Sequence, residues 1–118
     1  MGGEGEDLAA SFLKLAGFKI LERNFRCKGG EIDLVATKKG EIHFVEVKTR
    51  NNFAYGDPLE SITNTKQRRI SQAAQIYLLK HPEADKQQKS FSVITINLES
   101  SSPQIEFLPN AFECANGY

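Results

Sequence analysis

The sequence is poor in cysteine, has no excess of either charge and contains no long apolar run, and each shortage closes off a class of protein. Only Cys27 and Cys114 occur among 118 residues, far apart and without metal-ligand spacing. That excludes a disulfide framework or a zinc staple and reads as reduced thiols of a cytoplasmic protein, with a single disulfide as the alternative. Fifteen Lys and Arg balance fifteen Asp and Glu, so no whole-molecule field draws the chain to nucleic acid or membrane, and any such binding is local. No stretch approaches the roughly 20 apolar residues of a membrane span. The segment from Met1 to Asp7 is acidic where a secretory signal is basic, and Glu6 stands where a myristoylation motif needs Ser or Thr. Repeats, heptads and low-complexity tracts are absent. The expectation is one soluble domain over residues 1–118, large enough to bury roughly two-thirds of its unfolded surface.

What is present alternates in period. Leu8, Phe12, Leu15 and Ala16 recur at helical spacing behind Glu4, Glu6 and Asp7, which complement the positive end of a helix dipole, and Gly17 offers a stop. Residues 18–27, 31–37 and 41–49 are β-rich and separated by Lys28-Gly29-Gly30 and Lys38-Lys39-Gly40, which predict an antiparallel meander. The stretch from Asn51 to Ile62, with Asn-Asn, Gly56 and Asp57-Pro58, reads as a long functional loop. Ile70, Ala73, Ala74, Tyr77 and Leu78 then mark a second helix, capped near Thr63, Asn64 or Thr65 and ended by His81-Pro82. Residues 91–98 and 105–108 give two further strands around Ser100-Ser101-Ser102-Pro103. The predicted order is α-β-β-β-α-β-β, an α/β fold with a mixed central sheet flanked by helices.

The chemistry concentrates in the second hairpin. A two-residue loop at Lys39-Gly40 sets Val35 opposite Phe44, Asp33 opposite Glu46 and Glu31 opposite Lys48. Like charges directly opposed on a strand pair are destabilising, so two adjacent acids call for a counter-charge. A divalent metal supplies one, and hard oxygen ligands in this arrangement suit Mg²⁺ or Mn²⁺, which use one or two carboxylates, waters and a substrate phosphate. Lys48 lies two residues beyond Glu46, on the same face, where an amine can orient or deprotonate a water for phosphodiester hydrolysis. A solvent-exposed charge ladder is the simpler alternative. The opposite face, with Ile32 beside Val47 and Leu34 beside Val45, is apolar.

The residues also carry a resemblance. Gly5-Glu6-x-x-Ala9, Gly17-Phe18, Asn24-x-Arg26, Gly30-Glu31-Ile32-Asp33-Leu34-Val35-Ala36, Phe44-Val45-Glu46-Val47-Lys48-Thr49-Arg50, Gly56-x-Pro58-x-Glu60, Lys66 and Asn110-Ala111-Phe112 resemble the YraN-like family of small bacterial proteins. That family is similar to the PD-(D/E)xK superfamily with the restriction-endonuclease-like fold, in particular to archaeal Holliday-junction resolvases. The resemblance implies Asp33 and Glu46 as metal ligands, the Val47 carbonyl as a backbone ligand, Lys48 as the catalytic lysine and Glu6 as the additional acid of resolvase-like members. It implies Mg²⁺ (or Mn²⁺) as cofactor, branched or structured DNA as partner and a homodimer, since such enzymes cut two strands symmetrically. Glu6 also reads as a plain helix N-terminal acid, and Glu31 as a rim partner for Lys48. Two positions depart from the pattern. Ile32 replaces the proline before the first acid, and Ser90-Phe91-Ser92 stands where the family often has Arg-Phe-Asp.

Nucleic-acid contacts are expected from Arg50, which extends the strand beyond Lys48, and from Lys66 and Arg69 at the start of the second helix, where cations are unfavourable unless an anion is held nearby. Arg68 is a weaker candidate. Phe53 and Tyr55 either stack on unpaired bases or fold back onto the core. Nothing reads base sequence, so recognition by shape or branching is expected. His43 lies on the face opposite Glu46 and reads as a strand-surface or partly buried histidine, His81 as a helix C-terminal cap. The rivals to a nuclease are a non-cutting nucleic-acid binder on the same fold and a scaffold that acts through a protein partner.

Overall fold

Lys39 and Gly40 both have positive φ, 51° and 80°, as a two-residue type I′ turn demands, and such a turn matches the twist of the strands it joins. In the computed structural model, which describes residues 3–50, 62–98 and 101–114, with Arg50 in its backbone alone, this turn links β2 (Gly30–Lys38) to β3 (Glu41–Arg50). Lys38 pairs with Glu41, Val35 with Phe44 and Leu34 with Val45, the register expected from the turn. The Lys28-Gly29 turn joins β1 (Lys19–Cys27) to β2 with Cys27 opposite Gly30. Beyond lie β4 (Gln88–Asn97) and β5 (Gln104–Phe112), and the sheet order is the chain order, β1 to β5. Only β3 and β4 run parallel. That pairing requires a crossover, supplied by α2 (Asn64–Lys80) and a short 3₁₀ turn at Pro82–Lys86 that the sequence pattern does not announce. The element order α-β-β-β-α-β-β and the mixed sheet are those predicted. The expected loop falls on residues 51–61, and it and its Phe53 and Tyr55 lie outside the described residues.

Local chemistry fixes the crossover helix at both ends. Thr63 is its N-cap and accepts from the Lys66 N–H at 3.2 Å. At the C-terminus His81 holds Nδ1 3.0 Å from the Tyr77 carbonyl and stacks on the Tyr77 ring at 4.1 Å, the capping role expected of it. Ile70, Ala73, Ala74, Tyr77 and Leu78 are buried as predicted, against Phe25, Val35, Ile42, Phe44 and Phe91 of one sheet face.

The other face is covered by α1 (Gly3–Leu15), and two expectations are corrected there. The stripe of Leu8, Phe12, Leu15 and Ala16 is met only in part: Ala9, Ala10 and Leu13 are the buried residues packed on Leu34, Ala36, Val45, Ile94 and Ile96, Leu8 and Phe12 pack partly buried at their edge, and Leu15 is 90% exposed. Small residues bring the helix close to the sheet, so closeness rather than side-chain size decides which face is inside. Gly5 belongs to this contact, since a Cβ there would collide with Thr49 Oγ1. Ile32 does not share the face of Leu34 as strand alternation predicts, but lies in the α2 cluster beside Phe25 and Val35. The cause is local. The pairing of β2 with β3 ends at Leu34, and the adjoining strand is deformed at Asn24, whose φ is 53°. The strict two-residue alternation of a regular ladder does not survive such a distortion. Among the described residues no helix is long and apolar enough to cross a membrane.

Gly30 sets how closely α2 approaches β2. A Cβ there would overlap the Arg69 carbonyl oxygen and stand 3.0 Å from the Ala73 nitrogen, both helix backbone atoms that cannot step aside singly. Gly30→Ala is therefore expected to lower the unfolding free energy by about 2–3 kcal/mol. Gly3→Ala, in open space at the start of α1, should be neutral or stabilising by up to about 1 kcal/mol. Urea denaturation of the two variants checks the contrast.

Candidate active site

Where β2 and β3 stop pairing, the backbone of β3 turns to a side chain. The Val47 N–H donates to Asp33 Oδ2 at 2.8 Å, which pins the carboxyl between the two strands. Glu46 comes to lie beside it, and the two carboxyl groups share a hydrogen bond. The predicted pair of acids is thus brought together, though by side-chain contact at a fork rather than as opposed members of a continuous ladder.

Electrostatics at the fork are unfavourable in isolation. Burial, then the charge of Glu46, pushes the Asp33 carboxyl up to about 7 against the lowering effect of the Val47 N–H, and Glu6 adds to the rise. Glu6 projects from the first turn of α1 and is partly buried. Its charge reaches Asp33 from there. Its alternative reading as a helix N-terminal acid holds at once, because the same position serves both.

Two lysines offset the acids. Lys66 Nζ lies 3.4 Å from Glu46 Oε2. A hydrogen bond with the Lys48 side chain, then the Glu46 and Asp33 carboxylates, hold the Lys66 ammonium above its usual range despite partial burial. Lys48, partly buried on β3, therefore adjoins Lys66 rather than Glu31. Glu31 pairs instead with Arg69 across 3.6 Å, both half exposed, so its rim salt bridge is real but the predicted partner is wrong. The reason is α2, which reaches over the open end of the hairpin and brings a cation that the pairing of two strands alone does not include. Glu31, Asp33, Glu46, Lys66, Arg69 and Ile70 line a cavity of about 190 Å³. A larger concavity elsewhere also holds acids and an amine, Asp85, Glu113 and Lys89, but it is otherwise lined mainly by apolar side chains. Sequence reasoning assigns Lys66 only to a phosphate. Its place four residues before the first buried residue of α2, Ile70, is the signal that aims it at the sheet.

The remaining predicted residues fall outside the cavity. The Arg50 backbone pairs with Asn97, and its side chain is outside the described residues. His43 is fully buried rather than at the strand surface, with Nδ1 2.9 Å from Ser92 Oγ and Nε2 3.2 Å from Glu41 Oε1. Burial lowers its pKa. Ser92 Oγ lies 2.9 Å from Ser90 Oγ, which accepts from the Asn110 N–H at 3.0 Å. The two serines that depart from the family pattern thus form an internal polar chain. Cys27 and Cys114 are free thiols, as expected.

The donor set suits a hard divalent cation: two adjacent carboxyl groups, one with its proton held to near neutrality by burial and then by the charge of the other, form a pair whose repulsion such an ion relieves. Asp33 and Glu46 would be its protein ligands. Among the described residues no group of three His, Cys, Asp or Glu side chains is arranged to hold a metal, so Glu6 stands outside direct ligation.

A raised carboxyl pKa also has a sign in stability. The folded chain binds the Asp33 proton more tightly than the unfolded chain, so the cost is absent below about pH 4, grows as pH rises and is complete above about pH 7. At about 1.4 kcal/mol per pH unit that cost reaches about 4 kcal/mol at most. Asp33→Asn is expected to stabilise the metal-free protein by about 2–4 kcal/mol at pH 8, with the gain vanishing near pH 3. Thermal unfolding of both proteins across this range is the check.

Residues 5–96 match the uncharacterised protein family UPF0102. A UPF0102 protein of Geobacter metallireducens is 50% identical over 115 residues, covering 98% of this chain and 93% of the relative. One from Pelobacter propionicus is 50% identical over 97% of this chain and 83% of its own length. A third, from Clostridium botulinum, is 44% identical over 96% and 94%.

Proposed function

We propose that this chain, which belongs to the uncharacterised protein family UPF0102, is a divalent-metal-dependent nuclease that hydrolyses phosphodiester bonds in branched or otherwise structured DNA. The observation that carries the reading is the fork itself: Asp33 and Glu46 side by side in a small cavity, with Lys66 3.4 Å from Glu46 and Lys48 adjoining Lys66. Such a pair is costly to keep for stability alone, and destabilising carboxyl pairs concentrate at functional sites. The resemblance to the PD-(D/E)xK superfamily supports the same residues.

In this reading Asp33 and Glu46 hold Mg²⁺ or Mn²⁺, which when bound supplies charge stabilisation at the phosphate and a more acidic water. The chain does the rest. Asp33 gives up its proton and keeps its orientation through the Val47 N–H. Lys48, on the same strand and two residues from Glu46, orients the attacking water or takes its proton. The Lys66 ammonium, 3.4 Å from Glu46 at the rim, meets a phosphate oxygen. Glu6 adds negative charge behind Asp33. A homodimer would present two such cavities to two strands.

One observation favours a second reading. Lys66 already neutralises Glu46 from within the cavity, as a non-cutting nucleic-acid binder would require in place of a metal.

Calorimetric titration with Mn²⁺ separates the two. A nuclease is expected to bind the ion and to lose binding in Asp33→Asn. The apparent affinity should rise roughly tenfold per pH unit up to about 7 and level off above, because the Asp33 proton must leave. Glu46→Ala and Lys48→Ala should each cut cleavage of flaps and four-way junctions by at least about 100-fold while DNA affinity persists. Identical Mn²⁺ titrations of wild type and Asp33→Asn, also with a cleavage-resistant junction present, would overturn the nuclease in favour of the binder.

A further inference from the structure

Outside the acid cavity, one concavity carries three cations and no acid among its lining residues. A groove of about 660 Å³ runs between the β1–β2 turn and the outer face of α2, lined by Lys28, Thr65, Arg68, Arg69 and Gln72, with Gly29 and Ile76 completing it. Thr65, Arg68, Arg69, Gln72 and Ile76 follow helical spacing along α2, a helix with four basic residues and no acidic one. In a chain with zero net charge, that segregation is a feature of the fold rather than of composition.

Three observations give the groove a ligand class. Among the described residues, neither Lys28 nor Arg68 has a carboxylate partner, so both ammonium and guanidinium are open to an external anion. Arg69, paired with Glu31, lines both this groove and the acid cavity, so the two are neighbours along α2. The floor is made by Gly29 and Gly30, with α2 backbone meeting Gly30 directly and the neutral Gln72 side chain lying against Gly29, so no acid stands between Lys28 and the helix cations. A polyanion laid along α2 would pass from Lys28 and Arg68 to Arg69 and on to Asp33.

We infer that the groove between the β1–β2 turn and α2 is a second subsite for the sugar-phosphate backbone of the nucleic-acid substrate, in which Lys28 and Arg68 each contact a phosphate beyond the one held at the acids. The inference rests on the nucleic-acid reading above and extends it to residues remote from the chemistry. Thr65 and Gln72 supply neutral donors between the cations, an arrangement that positions a backbone without reading bases.

The test uses the full chain and a fluorescein-labelled four-way DNA junction, with a labelled 30-nucleotide single strand as second probe, followed by anisotropy over a range of salt. Lys28→Ala/Arg68→Ala should bind the junction at least about tenfold more weakly than wild type. Its slope of log affinity against log salt should be smaller by about 2, near 0.9 for each phosphate no longer neutralised. Lys14→Ala, a cation exposed on α1, should leave affinity and slope unchanged, and Mn²⁺ titration of the double variant should match wild type. Both substituted side chains are exposed, and circular dichroism confirms that the variant is folded. Wild-type affinity retained by the double variant overturns the groove and leaves the nuclease reading standing. Weaker binding by the double variant with no cleavage by wild type supports the groove and removes the nuclease. Failure of wild type to bind either probe overturns both.

Discussion

One backbone hydrogen bond organises this molecule's surface. The Val47 N–H, directed toward β2, meets the carboxyl of Asp33 instead of a strand partner. With that donor committed, β2 and β3 separate beyond Leu34 and Val45, and the separation makes a place where carboxyl groups are neither fully buried nor fully hydrated. Placed in the continuous ladder, Asp33 and Glu46 would be a plain cross-strand repulsion. At the fork burial and the neighbouring Glu46 charge raise the Asp33 carboxyl, while the Val47 N–H holds it in place.

The helices answer this arrangement from opposite sides. α1 brings one more acid through Glu6, and α2 brings the compensating cations through Lys66 and Arg69. Both are drawn in by residues without bulk, Gly5 and Ala9 for the first and Gly30 for the second. Packing and electrostatics are therefore one problem here: the distance at which α2 rests on β2 is also the distance between its ammonium groups and the acids.

Much of this is legible in the sequence because it is local. The Lys39-Gly40 turn determines the β2–β3 register, and through it the neighbourhood of Asp33 and Glu46, before any tertiary information is needed. The Thr63 cap, the apolar face of α2 and the His81 stop are equally readable, since each depends on a few consecutive residues. What escapes is non-local. Leu15 looks like core by period, but the contact is decided by how closely Ala9 and Ala10 let α1 approach. Ile32 changes clusters because Asn24, on a neighbouring strand, takes a left-handed conformation. Glu31 finds Arg69 rather than Lys48 because a helix some thirty positions later in the chain closes over the hairpin. The family pattern, by contrast, points to Glu6 without any knowledge of where α1 lies.

The internal polar chain behind His43 has a direction. At one end the Asn110 N–H can only donate, and at the other the ionised Glu41 carboxylate can only accept. Between them, every bond is made if each hydroxyl passes its hydrogen the same way: Ser90 to Ser92, Ser92 to His43 Nδ1, and Nε2–H to Glu41. That order fixes a single neutral tautomer of the imidazole. A proton added to Nδ1 turns an acceptor into a donor and forces Ser92 to reverse toward Ser90. Ser90 then receives from both sides and has nowhere in the chain to place its own hydrogen. Burial lowers the basicity of His43 against the opposing pull of Glu41, and the orientation of the Ser92 and Ser90 hydroxyls acts in the same direction as burial.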